Sequence, residues 1–193
     1  MKPVMAGVIL LLAQDVMADS TPMSAMSGNS VPLKLTLVVE QKTCKLTLLS
    51  PEKISFSKTP VGWNDLRGGN SGPIERIPPQ TISLSLTECG SSAIQGQIPA
   101  IQVQGKTPFS EKPEIFRDDG STASGLIGFG LRYQPDDGPP GNYLKNMDNV
   151  DVATSGMAPV EGTRKFLVDI LYGGGEVGGG LLLGTLSFKF RYH

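Results

Sequence analysis

The chain has 193 residues, of which 39% are hydrophobic and 18% are charged, and its formal net charge at pH 7 is −1. This length suits one domain of ordinary size, and the hydrophobic content excludes a wholly disordered chain. The near-neutral charge and the scattered Lys and Arg residues argue against a protein that binds nucleic acid electrostatically.

The first 18 residues have the pattern of a secretory signal peptide. Lys2 is followed by an apolar run from Val4 to Ala13, which is too short to span a bilayer that needs about 20 residues. Ala18 then precedes Asp19 in a pair typical of a cleavage site. We therefore expect residues 1–18 to be removed after export; a buried N-terminal helix or a membrane anchor is the alternative.

From Ser30 onward, short segments with period-two hydrophobicity alternate with turn-forming residues. The segments are VPLKLTLVV, QTISLSLTEC, AIQVQG, GLIGFGLRY, KFLVDILY and LLLGTLSFKFRY. Gly- and Pro-rich stretches at 61–79 and 133–142 are loops by composition. This pattern predicts an all-β antiparallel sandwich over residues 36–193, preceded by an N-terminal extension at residues 19–35.

Cys44 and Cys89 are the only cysteines in the sequence. An even pair in an exported chain predicts one disulfide bond, and two buried free thiols are the alternative.

The residue types that carry most enzymatic chemistry are scarce. The only histidine is His193, so a Ser/His/Asp or Cys/His arrangement and a histidine-rich metal site both lack their imidazoles. The acidic pairs at 118–119 and 136–137 lie beside glycine and are typical of solvated turns. We expect neither enzymatic activity nor a bound metal or other cofactor.

The last predicted strand divides its side chains cleanly between two faces. Alternation places four apolar residues on one face and four polar residues on the other. The apolar face consists of Leu186, Phe188, Phe190 and Tyr192, and the polar face consists of Thr185, Ser187, Lys189 and Arg191.

These features together resemble the pilin subunits of chaperone–usher fimbriae, in the type 1 fimbria-like family. The signal peptide, the alternating segment that runs into Cys44 and the QTISLSLTEC segment that ends in Cys89 follow the family's order. ASGLIGFGLRY is similar to its mid-chain Gly-x-Gly strand. Gly180 and Tyr192 stand where the family has a glycine and a penultimate tyrosine.

The resemblance implies an immunoglobulin-like sandwich that lacks its final strand and leaves an apolar groove along its C-terminal strand. A periplasmic chaperone fills the groove first, and a neighbouring fimbrial subunit replaces it at an outer-membrane usher. In this sequence the strand would begin at Gly180. The chaperone contacts would fall on Leu186, Phe188, Phe190, Tyr192 and the carboxylate of His193.

The extension at 19–35 is suited to the donor role that the resemblance implies. Val31, Leu33 and Leu35 lie on one face of a strand and could enter a neighbour's groove. The alternative is that these residues begin the subunit's own first strand.

The function implied is that of a structural subunit of a surface fimbria, preferably a minor or adaptor subunit that contributes to cell adhesion. The alternative is a secreted single-domain β-sandwich that binds carbohydrate or protein through its loops. Trp63 and Tyr143 are the aromatic residues that could stack on a sugar in that case.

Overall fold

The computed structural model describes residues 31–38, 44–56, 71–90 and 95–193, and every regular element in these ranges is a β-strand. The prediction of an all-β sandwich with one disulfide is confirmed. Within the same ranges, no helix is long and apolar enough to cross a membrane. The predicted signal peptide, its cleavage site at Ala18 and Asp19, and the extension before residue 31 lie outside the described residues.

The described residues contain eleven strands, which form two sheets. In chain order they are β1 Val31–Val38, β2 Lys45–Leu48, β3 Lys53–Phe56, β4 Gly72–Pro73, β5 Gln80–Thr87, β6 Pro99–Gly105, β7 Ile127–Gln134, β8 Tyr143–Leu144, β9 Asn149–Asp151, β10 Gly162–Tyr172 and β11 Gly184–Tyr192. Sheet A has the order β3-β1-β11-β6-β9, and sheet B has the order β2-β5-β10-β7-β8, with β4 paired to β10.

The core lies between the sheets and is built by period-two alternation. In β5, Ile82, Leu84 and Leu86 are fully buried and the residues between them are partly exposed. Two aromatic pairs then join the sheets. Phe56 of β3 lies 5.7 Å from Phe129 of β7, measured between ring centroids, and Phe166 of β10 lies 5.2 Å from Phe188 of β11. These separations are favourable for tilted aromatic contacts.

Close packing on the outer face of sheet B explains why β7 has glycine at positions 128 and 130. A Cβ atom at Gly128 would lie 2.5 Å from a methyl carbon of Ile115, and one at Gly130 would lie 2.4 Å from a methyl carbon of Leu171. Both contacts are too close for any side chain. The glycines therefore leave room for Ile115 and Leu171, which are buried on this face.

The Cys44–Cys89 disulfide joins two neighbouring strands of sheet B. Cys44 comes directly before β2, and Cys89 follows β5 after one residue. Beside it, Lys45 forms an exposed ion pair with Glu88 at 3.1 Å. The bond closes a loop with a sequence separation of 45 residues.

We expect the double substitution Cys44→Ser/Cys89→Ser to lower the free energy of unfolding by about 4 kcal/mol, because the unfolded chain regains the entropy of that loop. Urea unfolding followed by tryptophan fluorescence measures the change. Reduction of the wild-type chain before unfolding is the matched control and should reproduce it. An unfolding midpoint that neither treatment moves would contradict the expectation.

Candidate functional site: the slot between β3 and β11

The apolar face of β11 points into the core. Leu186, Phe188 and Phe190 are at most 5% exposed, whereas Lys189 and Arg191 lie on the outward face and are partly exposed. On one side, β11 pairs antiparallel with β6, where Phe190 lies opposite Ile101.

On its other side, β11 pairs with β1 of the same chain, and this pairing is parallel. Leu33 lies opposite Gly184 and Leu35 opposite Leu186. β1 also pairs antiparallel with β3, where Val31 lies opposite Phe56. The slot is the space between β3 and β11, and β1 fills it.

The placement of β1 bears directly on the groove that the resemblance implies. From Gly184 to Lys189, β1 covers the edge of β11 where the groove is expected, because the segment proposed as a donor for a neighbour lies in the chain's own sheet. Leu33 is completely buried and Leu35 is 5% exposed. Burial of each leucine contributes roughly 1.5–3 kcal/mol, and that gain is the physical reason why the slot is filled.

Sequence reasoning missed β3 as the second wall of the slot. The only signal was the alternation in KISF, where Ile54 and Phe56 are buried and Lys53 and Ser55 are exposed. Alternation shows which side chains share a face, but it does not show which strands are neighbours.

The strand β11 begins at Gly184 and not at Gly180, which corrects the predicted start. Residues 178–183 pair with the loop at 118–124 instead. The Thr122 N–H donates to the Leu181 carbonyl at 2.8 Å, and the Asp118 N–H donates to the Leu183 carbonyl at 2.9 Å. A Cβ atom at Gly180 would lie only 2.4 Å from the backbone nitrogen of Ala123. Glycine is required at 180 because two backbones approach closely there.

The end of β11 is held by β6 and β9. The His193 N–H donates to the Ile98 carbonyl at 3.1 Å, and the Ile98 N–H donates to the His193 carbonyl oxygen at 2.9 Å. The His193 Nε2 atom lies 2.9 Å from a carboxylate oxygen of Asp151. Tyr192 packs edge-on against Phe190, and its buried hydroxyl has no hydrogen-bond partner within the described ranges.

Tyr143, one of the two aromatic residues of the alternative function, belongs to an internal polar cluster. Its hydroxyl donates to Asp169 at 3.2 Å, and Arg132 Nε donates to the same carboxylate oxygen at 2.9 Å. The Arg132 guanidinium lies 5.0 Å from the centre of the Tyr143 ring. Burial, together with the charge of Asp169, raises the pKa of Tyr143 to about 12. The other aromatic residue, Trp63, lies outside the described residues.

Three of the four carboxylates that the sequence singled out have protein partners. Asp118 accepts a hydrogen bond from the Thr185 hydroxyl at 2.7 Å, Asp119 pairs with Lys106, and Asp136 lies 3.3 Å from the ammonium of Lys165. Within the described ranges, His, Cys, Asp and Glu side chains form no group of three that could hold a metal ion.

A cleft of about 460 Å³ lies beside Asp118 and Asp119, between Phe109 and Leu126. Its single arginine, Arg117, stacks on the Phe109 ring at 5.6 Å and donates to backbone carbonyls of the same loop. Arg117 and Asp118 therefore stabilise the loop at 118–124, with which residues 178–183 pair.

We expect Gly180→Ala to lower the free energy of unfolding by roughly 1–3 kcal/mol, because its methyl group must displace the backbone of Ala123. Gly179→Ala is the matched control, since a Cβ atom there meets nothing within 4 Å. That variant should stay within about 0.5 kcal/mol of the wild type. Urea denaturation measures both, and equal stabilities of the two variants would contradict the packing at 180.

Tyr143 should ionise at a pH about two units higher than an ordinary tyrosine, whose pKa is about 10. The pKa of Tyr143 is higher in the folded state than in the unfolded state. Its contribution to the free energy of unfolding is therefore complete below pH 10 and is lost as the pH rises through 12. Absorbance at 295 nm follows the titration, and Tyr143→Phe should remove only its latest phase. A late phase that survives in this variant would assign the raised pKa to another tyrosine.

No family model matches the sequence, and no curated protein matches it.

Proposed function

We propose that this chain is a structural subunit of a surface fimbria, exported through the periplasm and polymerised by donor-strand exchange. The observation that supports the proposal most strongly is the place of β1, which lies between β3 and β11, parallel to β11 and antiparallel to β3. That is the position in which the resemblance expects a strand supplied from outside. The partners proposed are a periplasmic chaperone, an outer-membrane usher and neighbouring fimbrial subunits.

The connectivity of β1 would allow this strand to be withdrawn from sheet A. It is the first strand of the described chain, and it is connected to the later strands only at its Val38 end. Withdrawal of β1 therefore requires no other strand to be unthreaded. Exchange of an identical terminal element between copies is a known route by which proteins associate.

The register of β1 defines the backbone pairing that an exchange would replace. Six register pairs join β1 to β11, from Leu33–Gly184 to Val38–Lys189, and four join it to β3, from Val31–Phe56 to Lys34–Lys53. A donor strand would have to pair with both neighbours to replace β1.

The interior of the slot explains why a chaperone would be needed. Ile54 of β3 and Leu186 and Phe188 of β11 lie beside β1 and point into the core. If β1 leaves, these side chains and two unpaired strand edges face water, which favours aggregation. A chaperone strand would protect the slot until a subunit fills it.

The disulfide is consistent with export. Cys44 and Cys89 are bonded, and such bonds persist in oxidising compartments such as the periplasm. The Gly- and Pro-rich stretches at 61–79 and 133–142, predicted as loops from composition, would complicate packing in a repetitive rod. We therefore propose a minor or adaptor subunit that contributes to cell adhesion.

Complementation between two forms of the chain tests the proposal. A variant that lacks residues 19–35 is refolded alone or together with the mature chain that begins at Asp19. We expect the shortened chain to aggregate alone and to aggregate less with the longer chain. The longer chain inserts its extension into the empty slot and forms a hetero-oligomer, in which only the slot vacated by the donor stays open. Size-exclusion chromatography with mass spectrometry identifies the complex.

The donor face is tested with matched variants of the longer chain. Leu35→Asp places a charge in the apolar slot and should reduce complementation more than tenfold, because burying an unpaired carboxylate costs several kcal/mol. Thr36→Asp, on the outward face, should retain it. If both variants complement equally, or if the two chains never associate, the chain is better explained as a secreted sandwich that binds carbohydrate or protein through its loops.

A further inference from the structure

The first and last strands of the described chain are direct neighbours that run in the same direction. Six register pairs join β1 to β11, and the pairing is parallel. The chain therefore enters this pair at Val31 and leaves it at Tyr192, at the opposite end. Tension between the residues before Val31 and those after Tyr192 would pull the two strands past each other along their axes.

Such tension loads the backbone pairing in shear. The Leu35 N–H donates to the Glu52 carbonyl at 3.0 Å, on the β3 side of β1. Successive residues of a strand direct their backbone groups to alternate sides, so those of Lys34 and Thr36 face β11. A pull along the axes stretches the bonds between β1 and β11 together. A pull that separates the two strands from one end breaks them one after another.

The core prevents the two strands from yielding by a slip in register. Leu33 is completely buried and Leu35 is 5% exposed, whereas Lys34 between them is exposed. A slip of one residue would exchange the two faces of β1 and turn Lys34 into the core. Burial of an unpaired ammonium among apolar side chains is strongly unfavourable. The pairing must therefore break as a unit under shear.

Among the described strands, β11 is anchored more firmly than β1. Beyond its contact with β1, β11 has seven register pairs with β6, and His193 exchanges two backbone hydrogen bonds with Ile98. Beyond its contact with β11, β1 has four register pairs with β3. Under tension β1 is therefore the strand that is pulled out.

We propose that the folded chain, with β1 in its own slot, is a mechanical link that resists tension applied between its two ends. Strand exchange can proceed by peeling β1 from its Val31 end, one register pair at a time, whereas tension must break six pairs together. The inference goes beyond the proposed function and does not depend on it, because it concerns a contact within one chain.

The disulfide shortens the path of the force once β1 has been pulled out. Cys44 follows Val38 after five residues, and its bond to Cys89 leads directly to β5. β5 is held by seven register pairs with β10. The residues between the two cysteines, which include β2 and β3, therefore bear no tension while the bond is intact.

Optical tweezers test the inference with two directions of pull on one protein. In the shear geometry, DNA handles are attached to the two ends of the mature chain, which begins at Asp19. In the peeling geometry, the second handle is moved from the C-terminus to the thiol of a Gly179→Cys variant, just before β11. A Cβ atom at this position meets nothing within 4 Å. Leu181→Cys, at an exposed position of the same segment, repeats the measurement.

We expect the rupture force in shear to exceed the force in peeling at least about twofold, because six register pairs share the load. Rupture in shear should release about 400 Å of chain in one step. After reduction of the disulfide, whose cysteines are separated by 45 residues, the step should lengthen by about 150 Å.

Equal rupture forces in the two geometries would overturn the mechanical role and leave the proposed strand exchange intact. Rupture in shear through several short steps would do the same, since it would show that the register pairs break in succession. Urea denaturation of both cysteine variants supplies the control, and the wild-type midpoint shows that the moved handle leaves the fold intact.

Discussion

The parallel pairing of β1 with β11 is the contact on which sheet A depends. In the order β3-β1-β11-β6-β9, β1 is the neighbour of β3 among the strands that the structure describes. Loss of β1 would therefore separate β3 from the sheet as well, together with Phe56, whose ring packs on Phe129 of the opposite sheet. The place of β3 in sheet A and the contact between Phe56 and Phe129 therefore both depend on β1.

The structure holds β11 in place independently of β1. Before the strand, the Ser121 hydroxyl donates to the Leu183 carbonyl at 3.1 Å and accepts from the Leu183 N–H at 2.9 Å. After it, His193 exchanges two backbone hydrogen bonds with Ile98. These contacts fix the register of β11 against β6. The edge that faces β1 can then change its partner while the rest of the strand stays in position.

The inner face of the slot would supply most of the free energy of the proposed exchange. That face is apolar, and Leu33, which occupies it, is completely buried. A donor strand would need apolar side chains at alternate positions to reproduce this burial.

The sequence by itself determined the properties that depend on local period and on residue counts. Alternation in β11 predicted that Leu186, Phe188 and Phe190 share a face, and an even pair of cysteines in a chain expected to be exported predicted their bond. Only the tertiary structure decided that β1 lies parallel to β11 and that Tyr143 bonds Asp169. Those contacts join residues that are distant in the chain, and a period-two pattern specifies the face of a strand but not its neighbour.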